Sequence, residues 1–107
     1  GGDGDPAELL STLEVEFPRL PGALLRRMSR AYGTRTNRIL AGAVTLDDLG
    51  PVLAGDLTAR EVDYLVNVEW AWSAEDILFR RTKLGLHIDR SATGPLEDYL
   101  ERIRHAA

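Results

Sequence analysis

The chain has 107 residues, the size of one domain, and its 44% hydrophobic and 28% charged residues with a net charge of -4 fit a soluble globular protein and argue against indiscriminate nucleic-acid binding. It contains no cysteine, which removes disulfide frameworks, thiolate metal sites and cysteine nucleophiles from consideration. No apolar run approaches the roughly 20 residues that span a bilayer, and the first residues lack the charged and apolar segments of a secretion signal.

The chain opens on Gly-Gly-Asp-Gly-Asp, too rich in glycine to hold one conformation cheaply, so residues 1–5 are expected to be a linker. There is no initiating methionine; an excised piece of a larger protein and a cloning remnant both fit. Asp5, Pro6 and Glu8 then supply helix-start signals, and Leu9, Leu10, Leu13 and Phe17 follow at helical spacing, which predicts a helix over residues 6–16. Pro18 and Pro21 break the chain. Leu24, Leu25, Met28, Ala31 and Tyr32 form one stripe that stops at Gly33, predicting a second helix. From Thr34 to Val44 only Ile39, Leu40 and Ala43 recur, so short, poorly bounded helices are expected, followed by a single turn over residues 45–51.

Thr58-Ala59-Arg60-Glu61 reads as a capping box, in which the threonine hydroxyl and the glutamate carboxylate satisfy end-of-helix amides. The helix it opens carries Val62, Leu65 and Val66 on one face. Ser73 to Asp76 cap the next helix, with Ile77, Leu78 and Leu84 apolar and Gly85 as its stop. Gly94 and Pro95 start the last, with Leu96, Tyr99, Leu100 and Ile103 on one face. Nowhere do four or more residues alternate at period two. The predicted fold is all-α: a small bundle of five or six helices over residues 6–107 as a single domain, without internal repeats, and with a helical corner over residues 58–84.

At about 100° per residue, Glu69 falls within the apolar stripe of the first corner helix and Arg81 within that of the second. With only about three residues between the helices their apolar faces meet. An isolated buried charge costs several kcal/mol, so Glu69 and Arg81 are expected to form a largely buried ion pair. Arg80 and Lys83 fall on the rim, where a solvated surface and a contact with another domain are both open. Trp70 and Trp72 flank the corner and read as core or interface anchors.

Catalytic signatures are missing: no phosphate-cradling glycine loop, no metalloprotease helix and no nucleophile elbow. His87 and Asp89 alone are too few ligands for a metal, and His105 near the end reads as solvated. No catalytic, cofactor-binding or metal-binding residue is therefore assigned. Residues 18–46 contain six arginines and no acid, whereas residues 1–16 contain five acids and no base. The stripe Arg26, Arg27, Arg30, Arg35 and Arg38 either faces phosphates, anionic lipid or DNA, or pairs with the acidic first helix and the acids of residues 47–63. A helix-turn-helix reader needs exposed arginines on its second helix, but the wheel turns Arg81 inward, so no nucleic-acid partner is expected.

The run VNVEWAWSAEDILFRRTKLGL resembles the C-terminal helical domain of the aerobic, FAD-dependent glycerol-3-phosphate dehydrogenases; Glu69, Ala71, Asp76, Arg80, Arg81, Thr82, Leu84 and Gly85 match that family's pattern. FPRLPGALLRRMSRAYGTR, residues 17–35, is similar to the segment that opens the same domain, and the leading Gly-Gly-Asp is similar to the linker before it. The resemblance covers nearly all of residues 1–88 and leaves 89–107 unmatched. It implies a parent enzyme that oxidises sn-glycerol 3-phosphate to dihydroxyacetone phosphate with FAD and passes electrons to quinone, cytoplasmic and peripheral to the inner membrane. The FAD and substrate domains would lie N-terminal to this region, so no FAD is expected on these residues. The implied partners of this domain are those N-terminal domains, a second copy in a homodimer, or the membrane surface. Arg80, Lys83, Trp70 and Trp72 are the candidate interdomain contacts. The alternative is a free-standing helical interaction module that binds a protein through the tryptophan region and the basic stripe.

Overall fold

The structure, a computed structural model, describes residues 6–86 and 88–106. The linker reading of residues 1–5 and the pairing of His87 with Asp89 fall outside them. The chain divides into two compact units, residues 1–49 and 50–107.

In the first unit, α1 (Pro6–Glu16) packs against α2 (Gly22–Tyr32), which in turn meets the short α3 (Arg35–Ile39). The core here is Leu13, Phe17, Leu20, Leu24, Leu25, Met28, Ile39 and Leu40. Leu9 and Leu10 of the predicted stripe are only half-buried. Gly33 ends α2 at φ 57°, a left-handed conformation that a Cβ would oppose, and its amide donates to the Ser29 carbonyl at 3.0 Å. Two residues into α3, the buried Thr36 hydroxyl donates to the Met28 carbonyl at 3.0 Å, which ties this weakly patterned segment to α2. The predicted single turn is a 3₁₀ helix, Leu46–Leu49, anchored where Asp48 Oδ2 accepts the Val44 and Thr45 amides at 2.8 and 3.0 Å.

The second unit begins with a hairpin that the sequence does not announce. Strands β1 (Val52–Ala54) and β2 (Leu57–Thr58) pair antiparallel, with Val52 opposite Thr58, Ala54 opposite Leu57 and an irregular register between them. Three and two residues are too few for period-two alternation to show. Thr58 is the N-cap of the next helix, as the capping box required, but the hydroxyl half of that reading fails. Thr58 is extended and buried in β2, and its hydroxyl makes no capping hydrogen bond. The opening of the following helix, α4 (Ala59–Glu69), is instead held by the Ala59 amide donating to the Pro51 carbonyl at 3.0 Å. Glu61 is wholly buried in its first turn, at the end of the helix dipole that favours a carboxylate.

The predicted helix over 74–84 takes another form. Ser73 Oγ accepts the Asp76 amide at 3.1 Å, and the chain then winds as a π-helix over Asp76–Arg81. The Thr82 amide reaches back five residues to the Ile77 carbonyl at 2.9 Å, and the Thr82 hydroxyl donates to the same oxygen. Lys83 then turns left-handed at φ 60° and ends the segment before Leu84, which lies half-buried in a separate 3₁₀ turn, Leu84–Leu86. A further 3₁₀ turn, Arg90–Thr93, leads into α5 (Gly94–Ala106), which buries Leu96 and Leu100 and packs beside β1. Among the described residues the fold is thus mostly α-helical, with one small hairpin.

The Tyr99 hydroxyl of α5 donates to Asp63 Oδ1 of α4 at 2.6 Å. Burial of the phenol, followed by this hydrogen bond and the charge of Asp63, pushes its pKa up from 10.0 to about 12. A pKa raised on folding stabilises fully below the unfolded value near 10 and stops doing so as the pH climbs through about 12. Tyr99→Phe is expected to lower the urea-unfolding free energy by about 1 kcal/mol at neutral pH. The gap between the two proteins should shrink as unfolding is repeated from pH 10 toward pH 12.

Candidate functional site

The corner between α4 and the π-helix places Glu69 and Arg81 at the last residues of the two segments. Arg81 Nη1 lies 2.7 Å from Glu69 Oε1, with side-chain exposures of 37% and 16%. Arg81 Nε lies 3.5 Å from Asp76 Oδ2, an ion-pair distance, but it is buried and makes no hydrogen bond. One guanidinium therefore faces a carboxylate from each arm of the corner. The pair is half-buried, not largely buried, because a wheel drawn at 100° per residue over-rotates a π-helical turn and carries Arg81 too far inward.

Trp70 ends α4 in a left-handed conformation, φ 59° and ψ 29°, and the amides of Trp70 and Ala71 both reach back to the Leu65 carbonyl. This six-residue closure is a helix stop that glycine usually supplies; in a residue with a Cβ it costs roughly 1–2 kcal/mol. The indole is 80% exposed, so local packing returns little for that strain. Trp72 behaves differently. It is half-buried, with the Arg104 guanidinium 5.9 Å from its ring centroid and Arg104 Nη2 donating to its carbonyl at 3.2 Å.

Trp70 and Trp72 line an open groove of about 620 Å³ together with Glu75, Phe79, Arg80 and Arg81. Arg80 is exposed at its edge; Lys83 is exposed too but does not line it. Phe79, 38% exposed, is a groove residue that the sequence reading missed. Gly85 could have pointed to it: a Cβ there would lie 2.7 Å from the Phe79 ring, so this glycine makes room for an aromatic side chain instead of simply ending a helix. The groove offers aromatic faces, one exposed guanidinium and carboxylates, a set suited to binding and orientation. Among the described residues no group of three or more His, Asp or Glu side chains could hold a metal ion. His105 is exposed, 3.4 Å from Glu101, and Arg26, Arg30, Arg35 and Arg38 lie exposed on the first unit with Arg27 half-buried.

Arg81→Met should destabilise the chain by about 1–2 kcal/mol, between the values for exposed and buried pairs, because it leaves two carboxylates facing each other across the corner. Glu69→Gln should cost less, since the guanidinium retains Asp76. Chemical denaturation of both variants checks the order, which reverses if Glu69 is the more important partner.

A family model describing the C-terminal domain of alpha-glycerophosphate oxidase matches residues 1–103. Among curated relatives, glycerol-3-phosphate dehydrogenase of Pseudomonas aeruginosa is 47% identical over 87% of the chain, and D-erythritol 1-phosphate dehydrogenase of Brucella abortus 38% identical over 92%. Aerobic glycerol-3-phosphate dehydrogenase of Escherichia coli is 32% identical over 92%. The matched region amounts to 18–20% of the length of these three relatives. The chain belongs to the family of C-terminal domains of alpha-glycerophosphate oxidase.

Proposed function

We propose that this chain is the non-catalytic C-terminal accessory domain of a membrane-associated flavoenzyme that oxidises sn-glycerol 3-phosphate to dihydroxyacetone phosphate with FAD and quinone. The observation that carries this reading is the match of one C-terminal family over residues 1–103, set against relatives about five times as long. The chemistry then belongs to the remaining four-fifths of such a protein, and this domain packs against the FAD and substrate domains. Homodimer formation and peripheral contact with the inner membrane from the cytoplasm are further roles consistent with the reading. Among the described residues no helix is long and apolar enough to cross a membrane.

The residues here do not suit FAD itself. A dinucleotide needs a glycine-rich turn between a strand and a helix, so that backbone amides reach the pyrophosphate. The strand-to-helix passage in this chain, Leu57-Thr58-Ala59, has no glycine, and the Ala59 amide is already committed to Pro51. In the parent, flavin would supply the hydride acceptor; no step is assigned to a residue of this chain.

A second reading of the substrate has its own support, the 38% identity to D-erythritol 1-phosphate dehydrogenase over 92% of the chain. Both named substrates are phosphorylated polyols, so the class is shared and the chain length of the polyol is the open choice. The full-length protein should reduce a quinone analogue in the presence of glycerol 3-phosphate, whereas residues 1–107 alone should not. Turnover of D-erythritol 1-phosphate in preference would select the second substrate. A full-length protein inert with both, or a gene with no FAD-binding sequence upstream, would leave the free-standing interaction module.

A further inference from the structure

Of the candidate contacts at the corner, the geometry sets Trp70 and Arg80 apart from Trp72 and Lys83. Trp72 is engaged within the chain by Arg104, and Lys83 stands outside the groove. Trp70 holds an 80% exposed indole in a strained backbone conformation, Phe79 presents a ring beside it, and Arg80 is exposed at the edge of the same groove. An exposed tryptophan beside an arginine is the pairing that dominates protein interfaces, because each brings a large contact area and a directional polar group. Strain retained where no local contact repays it points to a contact outside the described residues.

We propose that the groove formed by Trp70, Phe79 and Arg80 is the docking face for the catalytic region of the parent chain, rather than for a second copy. It receives a segment with an apolar side chain for the indole and a carboxylate for Arg80. The inference rests on the reading of this chain as a C-terminal accessory domain. The occupant follows from size: the relatives carry about four-fifths of their length outside the matched region, covalently attached and at high effective concentration. A carboxylate is favoured because the Arg81 guanidinium already faces Glu69 and Asp76, which leaves Arg80 as the groove's available cation.

The full-length protein provides the test, by hydroxyl-radical footprinting read at single residues. Trp70 and Phe79 should be modified several-fold more slowly than an exposed aromatic residue, at every protein concentration. Glycine adopts the backbone conformation of Trp70 without strain. Trp70→Gly should therefore leave the fold intact by circular dichroism while the modification of Phe79 rises several-fold, and Arg80→Glu should raise it as well. Fast labelling of Trp70 in the full chain overturns the proposal, as does protection that appears only with rising concentration, the mark of a second copy. Failure of the parent reading is seen separately, in the absence of polyol-phosphate oxidation by the same preparation.

Discussion

The second unit turns on the guanidinium of Arg81. Glu69 ends α4 and Asp76 begins the π-helix, and their carboxylates would repel across a short connection if nothing stood between them. Arg81 lies 2.7 Å from the first and 3.5 Å from the second, so a single cation serves both arms of the corner. Arginine suits this position better than lysine, because a planar fork addresses two acceptors in different directions. With the arms held, the residues between them have little freedom: Trp70 completes the left-handed stop, Ala71 is buried, and Trp72 lies under Arg104.

The π-helix follows from the same arrangement. A wider turn leaves the Ile77 carbonyl accepting both the amide and the hydroxyl of Thr82, so Thr82 caps the segment from inside while Ile77 and Leu78 stay buried. Arg80 and Arg81 then part company. Arg81 points to the corner acids and Arg80 to the open groove, so two adjacent residues of one type divide between holding the fold and facing outward.

Helical periodicity was legible in the residues wherever the apolar stripe was long. α1 covers its predicted span, α2 stops at the predicted Gly33, and α4 and α5 start at the predicted signals of Thr58 and Gly94, because a long stripe at helical spacing favours a helix that can bury it. The hairpin was not legible, since strands this short depend on pairing with each other and not on their own pattern. The capping box placed the helix start correctly and misled only about the threonine hydroxyl, which is buried in β2 and makes no capping bond.

At the candidate site, residue types and spacing pointed to Glu69 and Arg81 from the sequence alone, because charges inside an apolar stripe must find partners. Helical periodicity also marked a mostly helical domain, and the Arg-Arg-Thr-Lys-Leu-Gly setting carried its resemblance to a family. The third partner Asp76, the strain at Trp70, the engagement of Trp72 by Arg104 and the place of Phe79 over Gly85 were decided only by tertiary structure. Each is tied to the π turn or to the left-handed stops at Trp70 and Lys83, whose bonds back to Leu65 and Ile77 depart from regular helical spacing and leave no period in the sequence.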